Sequence, residues 1–213
     1  LLLKDDGTFI FEEPYLGSMF EKVSYDQIYD EHIYMFSASS VAKIFKKFNF
    51  ELVDIIPQPT HGGSMRYIIK RDKQSISHDV KKIIDYEINN NFDNIKSCLN
   101  FKLNCENSKK NLIEKISLYK KRGKSICGYA ATSKSTTILN YCKINPNQID
   151  YICDTTKEKI GKFSPGMHIP ITDMNHFHKN QPDYVYLFAW NHKNEILNKE
   201  KQFKGNWFSH VAL

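Results

Sequence analysis

Between Tyr25 and Ser37 the chain reads YDQIYDEHIYMFS, a stretch that gathers Tyr25, Tyr29, Asp30, Glu31, His32 and Tyr34 just after a Pro14–Gly17 turn. Taking a proton from a carbon acid needs a base that titrates near the working pH. It also needs a carboxylate to orient that base and hydrogen-bond donors facing the developing charge. His32, Glu31 and Tyr29 are such a set of groups. The same residues also fit a polar loop whose histidine does no more than cap the following helix, and local spacing does not separate the two readings.

Three further stretches carry chemistry-bearing residues. GYAATSKSTT, residues 128–137, runs from a strand pattern into a helix pattern. Small residues there let backbone approach a ligand, and a helix start presents unpaired N–H groups with partial positive charge. Lys134 with the hydroxyls of Ser133, Ser135 and Thr136 would suit a pyrophosphate, or the stretch is an ordinary capped helix start. PTHGGSMR, residues 59–66, sets His61 and Arg66 around two glycines that supply either a substrate-covering hairpin tip or only a tight turn. FSPGMHIPI, residues 163–171, holds His168 as either a core residue or a ligand contact.

The elements that must position these groups follow from periodicity. Residues 8–13 alternate as a strand ending at Pro14, and SSVAKIFKKF reads as a helix capped by a serine at 37, 39 or 40. ELVDIIPQ and SMRYIIKR form a hairpin, so an α/β sheet finishes with an antiparallel edge strand. Residues 78–92 and 93–122 are Lys/Asn-rich and read as two connecting helices, the second open to a kink. KSICGYAA, QIDYICDTT, DYVYLFAWN and WFSHVA then read as strands, with helices at SKSTTILNYCKI and NHKNEILNKEKQF and a loop over TKEKIGKFSPGMHIPITD. That alternation predicts a Rossmann-like parallel sheet. Its ligand end would gather 128–135, 154–156 and 190–192. The domain plan is 1–72, a helical connector 73–122, and 123–213.

Composition narrows the function classes. At 213 residues with 41% apolar content the chain has ample core for one large or two small domains. The net charge of +6 is spread through helical segments, which favours solvated faces over a nucleic-acid groove. Five cysteines form no CxxC pair, which argues against zinc; Cys127, Cys142 and Cys153 lie in apolar runs, as core thiols of a reducing, cytoplasmic protein do. No apolar run approaches the roughly 20 residues of a membrane span. The opening LLLKDDG is too short and too quickly acidic for a signal peptide and reads as the end of an element.

YLG at 15–17, YDEH at 29–32, PTHGGSMR at 59–66, GYAATSKSTTILNYC at 128–142 and SPGMHIPI at 164–171 occur in the order found in sugar C-methyltransferases. The chain resembles the C-terminal half of that family over nearly its whole length. The resemblance implies closing strands of a class I methyltransferase domain in residues 1–71, then a connector and a Rossmann-like domain. It implies S-adenosylmethionine (SAM) as methyl donor, with its pocket mostly outside this chain, and a nucleotide-diphosphate keto-sugar as substrate. His32 matches the family's base, and Glu31 and Tyr29 match the groups that orient it and steady the enolate. Tyr15, His61, Arg66, Gly128, Tyr129, Ser133, Lys134 and Thr136 fall in the stretches that match the substrate site. Ala130 stands where the family commonly has glycine, and Ser135-Thr136 where it has Gly-Asn. The family's zinc-binding cysteines and glycine-rich SAM loop would lie upstream of Leu1, so a missing N-terminal half is an expected partner and nucleic acid and membrane are not. The competing expectations are a nucleotide-sugar-binding module without catalysis, and a similar methyltransferase acting on another carbon acid.

Overall fold

A computed structural model describes residues 3–71 and 75–212. The start of the LLLKDDG opening and the expected domain boundary at 72 and 73 lie outside the described residues. The chain divides into two compact units: Leu1–Lys22 with Ile33–Leu103, and Val23–His32 with Asn104–Leu213. The helical stretch is therefore shared between the units, and ten residues near the start count with the second.

The first unit contains β1 (Phe9–Pro14), α1 (Leu16–Lys22), α2 (Ala38–Lys46), β2 (Phe50–Gln58), β3 (Ser64–Arg71), α3 (His78–Asn89) and the beginning of α4 (Ile95–Lys121). Its sheet has the order β1-β3-β2, with β3 antiparallel to both neighbours. The antiparallel strand is thus central, which corrects the expectation of an antiparallel edge. The reason is burial. Met65, Tyr67 and Ile69 alternate onto the core with Val41, Leu52 and Val80, and a strand that buries this much has both edges paired. β1 and β2 are the two edge strands instead. Beside β1 runs an apolar groove of about 470 Å³ lined by Phe9, Phe11, Tyr34, Phe36, Ile44 and Phe45.

Helix α2 starts where its serines predict. Ser37 accepts from the Ser40 amide at 3.1 Å, and the Ser40 hydroxyl reaches back to the Ser37 amide at 3.0 Å. A second device was invisible in the sequence. The buried Glu87 of α3 accepts the amides of Ala38 and Ser39 at 2.7 and 2.8 Å, and the Tyr15 hydroxyl at 3.0 Å. One carboxylate so satisfies two orphan donors of the helix start and complements its dipole. Helix α4 is one continuous element of 27 residues. Its periodic apolar residues divide: Leu112 and Ile116 are buried, whereas Ile95, Leu99 and Leu103 are exposed.

The second unit adds β4 (Ile126–Tyr129), α5 (Ser133–Cys142), β5 (Tyr151–Cys153), β6 (Ile171–Thr172), α6 (Met174–Asn180), β7 (Tyr184–Leu187), α7 (Lys193–Lys199) and β8 (Asn206–Phe208). All five strands are parallel in the order β6-β5-β4-β7-β8, the Rossmann-like arrangement expected. Cys127, Cys142 and Cys153 are buried core thiols. Strand β6 and helix α6 were not foreseen. The strand is two residues long, and α6 has seven residues with Phe177 alone buried, too few for a period to register. Strand order reverses between β4 and β7, so the crevice for a ligand opens at the carboxyl ends of those two strands. Among the described residues no helix is long and apolar enough to cross a membrane.

Candidate active site

The ten residues Val23–His32 pack within the second unit, at that reversal point. A 3-10 turn, Tyr25–Gln27, closes through the Gln27 amide to the Ser24 carbonyl at 3.2 Å and the Ile28 amide to the Tyr25 carbonyl at 3.1 Å. Tyr25 is buried with its ring 4.9 Å from that of His210 and 5.2 Å from that of Tyr141. Asp26 is 0% exposed. Its Oδ2 accepts the Trp190 indole N–H at 2.7 Å, and its Oδ1 lies 3.2 Å from His210 Nε2. The Lys134 ammonium is 3.8 Å from Oδ2 and 4.7 Å from the centre of the Trp190 ring. Lys134 follows β4, Trp190 follows β7 and His210 follows β8, so the carboxylate binds together the loops around the switch point. Burial opposes the Asp26 charge, but His210, Lys134 and Trp190 outweigh it and hold the carboxyl below its ordinary range.

Beyond this anchor the chain presents the expected catalytic residues. His32 is half-buried; its Nδ1 sits 2.8 Å from the Gln27 carbonyl oxygen. A carbonyl can only accept, so Nδ1 carries the proton and, in the neutral ring, Nε2 carries the lone pair. The Tyr29 ring packs on the imidazole with centroids 4.2 Å apart, and the His32 amide donates to the Tyr29 carbonyl at 2.9 Å. Burial raises the Tyr29 phenol, and Glu31, Asp26 and Asp30 push the same way, so it stays a donor across the neutral range. Glu31 is exposed. The group that orients the imidazole is therefore a main-chain carbonyl, where the sequence suggested the neighbouring carboxylate.

The strand-to-helix loop after β4 is fixed by Asp154. That carboxylate accepts the Ala131 and Thr156 amides, each at 2.7 Å, and Lys159 donates to the Ala131 carbonyl at 2.7 Å. The gathering of 128–135 with 154–156 was expected. Thr132 caps α5, accepting from the Ser135 amide at 3.2 Å. Ser133 is exposed and Thr136 half-buried, its hydroxyl 3.5 Å from the Thr132 carbonyl. Lys134 is buried and engaged with Asp26 and Trp190, so a pyrophosphate would compete with that pair for its charge. Gly128 serves packing: a Cβ there would lie 2.4 Å from the Phe188 ring. Tyr129 is buried and donates to Glu200 at 2.9 Å.

Ala130 adopts φ +75°, in the left-handed region that costs a non-glycine residue about 1–2 kcal/mol. Glycine at this position, the residue common in the resembled family, would relieve it. Ala130→Gly is expected to stabilise the second unit by about 0.5–1 kcal/mol after the entropy of the freer unfolded chain is set against it. Urea unfolding checks this, and a loss of stability would contradict it.

The remaining expected contacts lie in the first unit. Tyr15 is buried on Glu87. Arg66 pairs with Glu12 at 3.0 Å, and Thr60 donates to the same carboxylate at 2.6 Å. His61 is exposed in a turn at φ +54°, and the backbone closes tightly at Gly63, where a Cβ would meet Ser18 at 2.4 Å. His168, in the second unit, is exposed as well. Sequence reasoning set Trp190 at the ligand end of the sheet but missed Asp26, His210 and Glu87. Of these, Asp26 left a trace, a carboxylate beside Tyr25 at the start of the acidic-aromatic stretch.

Comparison with known proteins agrees with this architecture. Residues 59–211 match the model of a C-methyltransferase C-terminal domain, and residues 1–55 match a methyltransferase domain. The C-methyltransferase NovU of Streptomyces niveus is 30% identical over 209 residues, which cover 96% of this chain and 49% of that protein. The chain spans about half the length of the curated relative it matches.

Proposed function

The chain belongs to the C-methyltransferase family, and from that premise we propose that it is the C-terminal portion of a SAM-dependent enzyme that methylates a carbon of a nucleotide-linked 4-keto-deoxysugar. The observation that carries the catalytic part is the 2.8 Å contact between His32 Nδ1 and the Gln27 carbonyl oxygen, which assigns the ring proton to Nδ1. A carbon next to a ketone is acidic because its charge delocalises onto oxygen, and the step needs one base for the proton and donors for the oxygen. His32 Nε2, bearing the lone pair, takes the proton. The Tyr29 phenol, kept protonated, donates to the enolate oxygen. Gln27 holds the imidazole in register while it gains charge, since its carbonyl also favours the imidazolium.

Among the described residues, the space over the backbone at Gly7, Gly17 and Gly63 is taken by Leu3, Tyr15 and Ser18, which supports a SAM site built elsewhere. SAM would supply an electrophilic methyl group, and the part of the enzyme upstream of this chain would hold it. The β1 edge and its aromatic groove are the surface of the first unit which that upstream part would cover. Calorimetry tests the division of labour: the 213-residue chain should give no binding heat with SAM, and binding should return when the upstream half is supplied. Strong SAM binding by the chain alone would overturn it.

A further inference from the structure

Removing a carboxylate from water costs several kcal/mol unless its oxygens are met by donors or charge. Asp26 is met on both oxygens, by Trp190 and Lys134 on one and His210 on the other. His210 is itself fixed, its Nδ1 2.7 Å from the Tyr186 hydroxyl.

What they immobilise is the turn that carries the Gln27 carbonyl. That carbonyl belongs to the Gln27–Ile28 peptide, whose N–H donates to the Tyr25 carbonyl at 3.1 Å, and the Gln27 side chain is also tied, donating to Ser24 at 2.7 Å while 1% exposed. The Gln27 carbonyl oxygen is the group that accepts from His32 Nδ1. In water a neutral histidine ring prefers its proton on Nε2, which would put the lone pair on the nitrogen turned toward Gln27. A carbonyl held in place reverses that preference; a carbonyl free to rotate away does not.

We propose that Asp26, clamped by Trp190, His210 and Lys134, is the positioning residue that keeps His32 in the Nδ1–H tautomer, with the lone pair on Nε2. The proposal rests on the reading of His32 as the base, but its test does not need turnover. In the ¹⁵N-histidine-labelled chain, with the His32 signals assigned by loss in His32→Gln, Nδ1 should show the protonated shift and Nε2 the unprotonated one. In Asp26→Asn and in Trp190→Phe the Nε2–H form should appear. Trp190→Phe removes one donor and leaves the Lys134 and His210 contacts to Asp26, so the test does not depend on Asp26→Asn folding. In the completed enzyme both variants should lose roughly 10- to 100-fold in kcat with KM nearly unchanged. A wild-type ring protonated on Nε2, or folded variants that keep the wild-type tautomer, would overturn the proposal. Correct tautomer shifts in an enzyme that turns over no keto-sugar would overturn the substrate assignment and leave the anchor standing.

Discussion

Changing His32 to alanine in the completed enzyme is expected to lower kcat for methyl transfer by about 10²- to 10⁴-fold, the usual worth of a positioned general base. KM for the nucleotide sugar should move little, because the proton is exchanged only in the transition state and the loss falls on kcat. Equilibrium binding of the sugar nucleotide should survive. Glu31→Gln should cost far less, since Glu31 is exposed and the Gln27 carbonyl already sets the ring. Steady-state kinetics on the two variants separates these outcomes. Equal losses at both positions would return orientation of the base to the carboxylate.

Alkaline pH is the second large effect. Burial, then Cys142, raises the Tyr25 phenol far above its ordinary range; burial, then Glu200, does so for Tyr129; burial, then Tyr25 and Asp26, does so for Tyr186. In the unfolded chain each ionises near pH 10. Groups whose folded pKa is raised contribute stability that is complete below the unfolded pKa and is lost as pH climbs toward the folded value. Each should therefore cost about 1.4 kcal/mol one pH unit above 10, and the three together roughly 4 kcal/mol at pH 11. That is a large part of the 5–15 kcal/mol typical of a domain. Tyr15 and Tyr67 impose the same slope on the first unit. Circular dichroism and phenolate absorbance should change together, in one cooperative step above pH 10. Gradual ionisation with the helices intact would contradict this.

Much of the architecture was legible because its signals are local. Ser37 and Ser40 announce the start of α2, and four of the five parallel strands show as short apolar runs between helix patterns. The site was legible only in part. His32, Glu31 and Tyr29 stand together in the sequence, and the structure does bring Tyr29 onto His32. The groups that set their geometry do not announce themselves. A backbone carbonyl such as that of Gln27 leaves no residue signature, and Asp26 meets partners that lie 108, 164 and 184 residues further along. The central place of β3 was hidden for a similar reason: alternation tells which face is buried, not which edges are paired. Lys134 reads as a phosphate ligand by type and spacing, and only the arrival of Asp26 beside it shows where its charge goes.

Exchange of hydrogen for deuterium at the carbon beside the ketone tests the base most directly, since it needs the base and not the methyl donor. The completed enzyme, given the nucleotide keto-sugar in D₂O without SAM, is predicted to incorporate deuterium at that carbon, and His32→Ala to reduce incorporation to the uncatalysed rate. Undiminished exchange in His32→Ala would show that another group removes the proton.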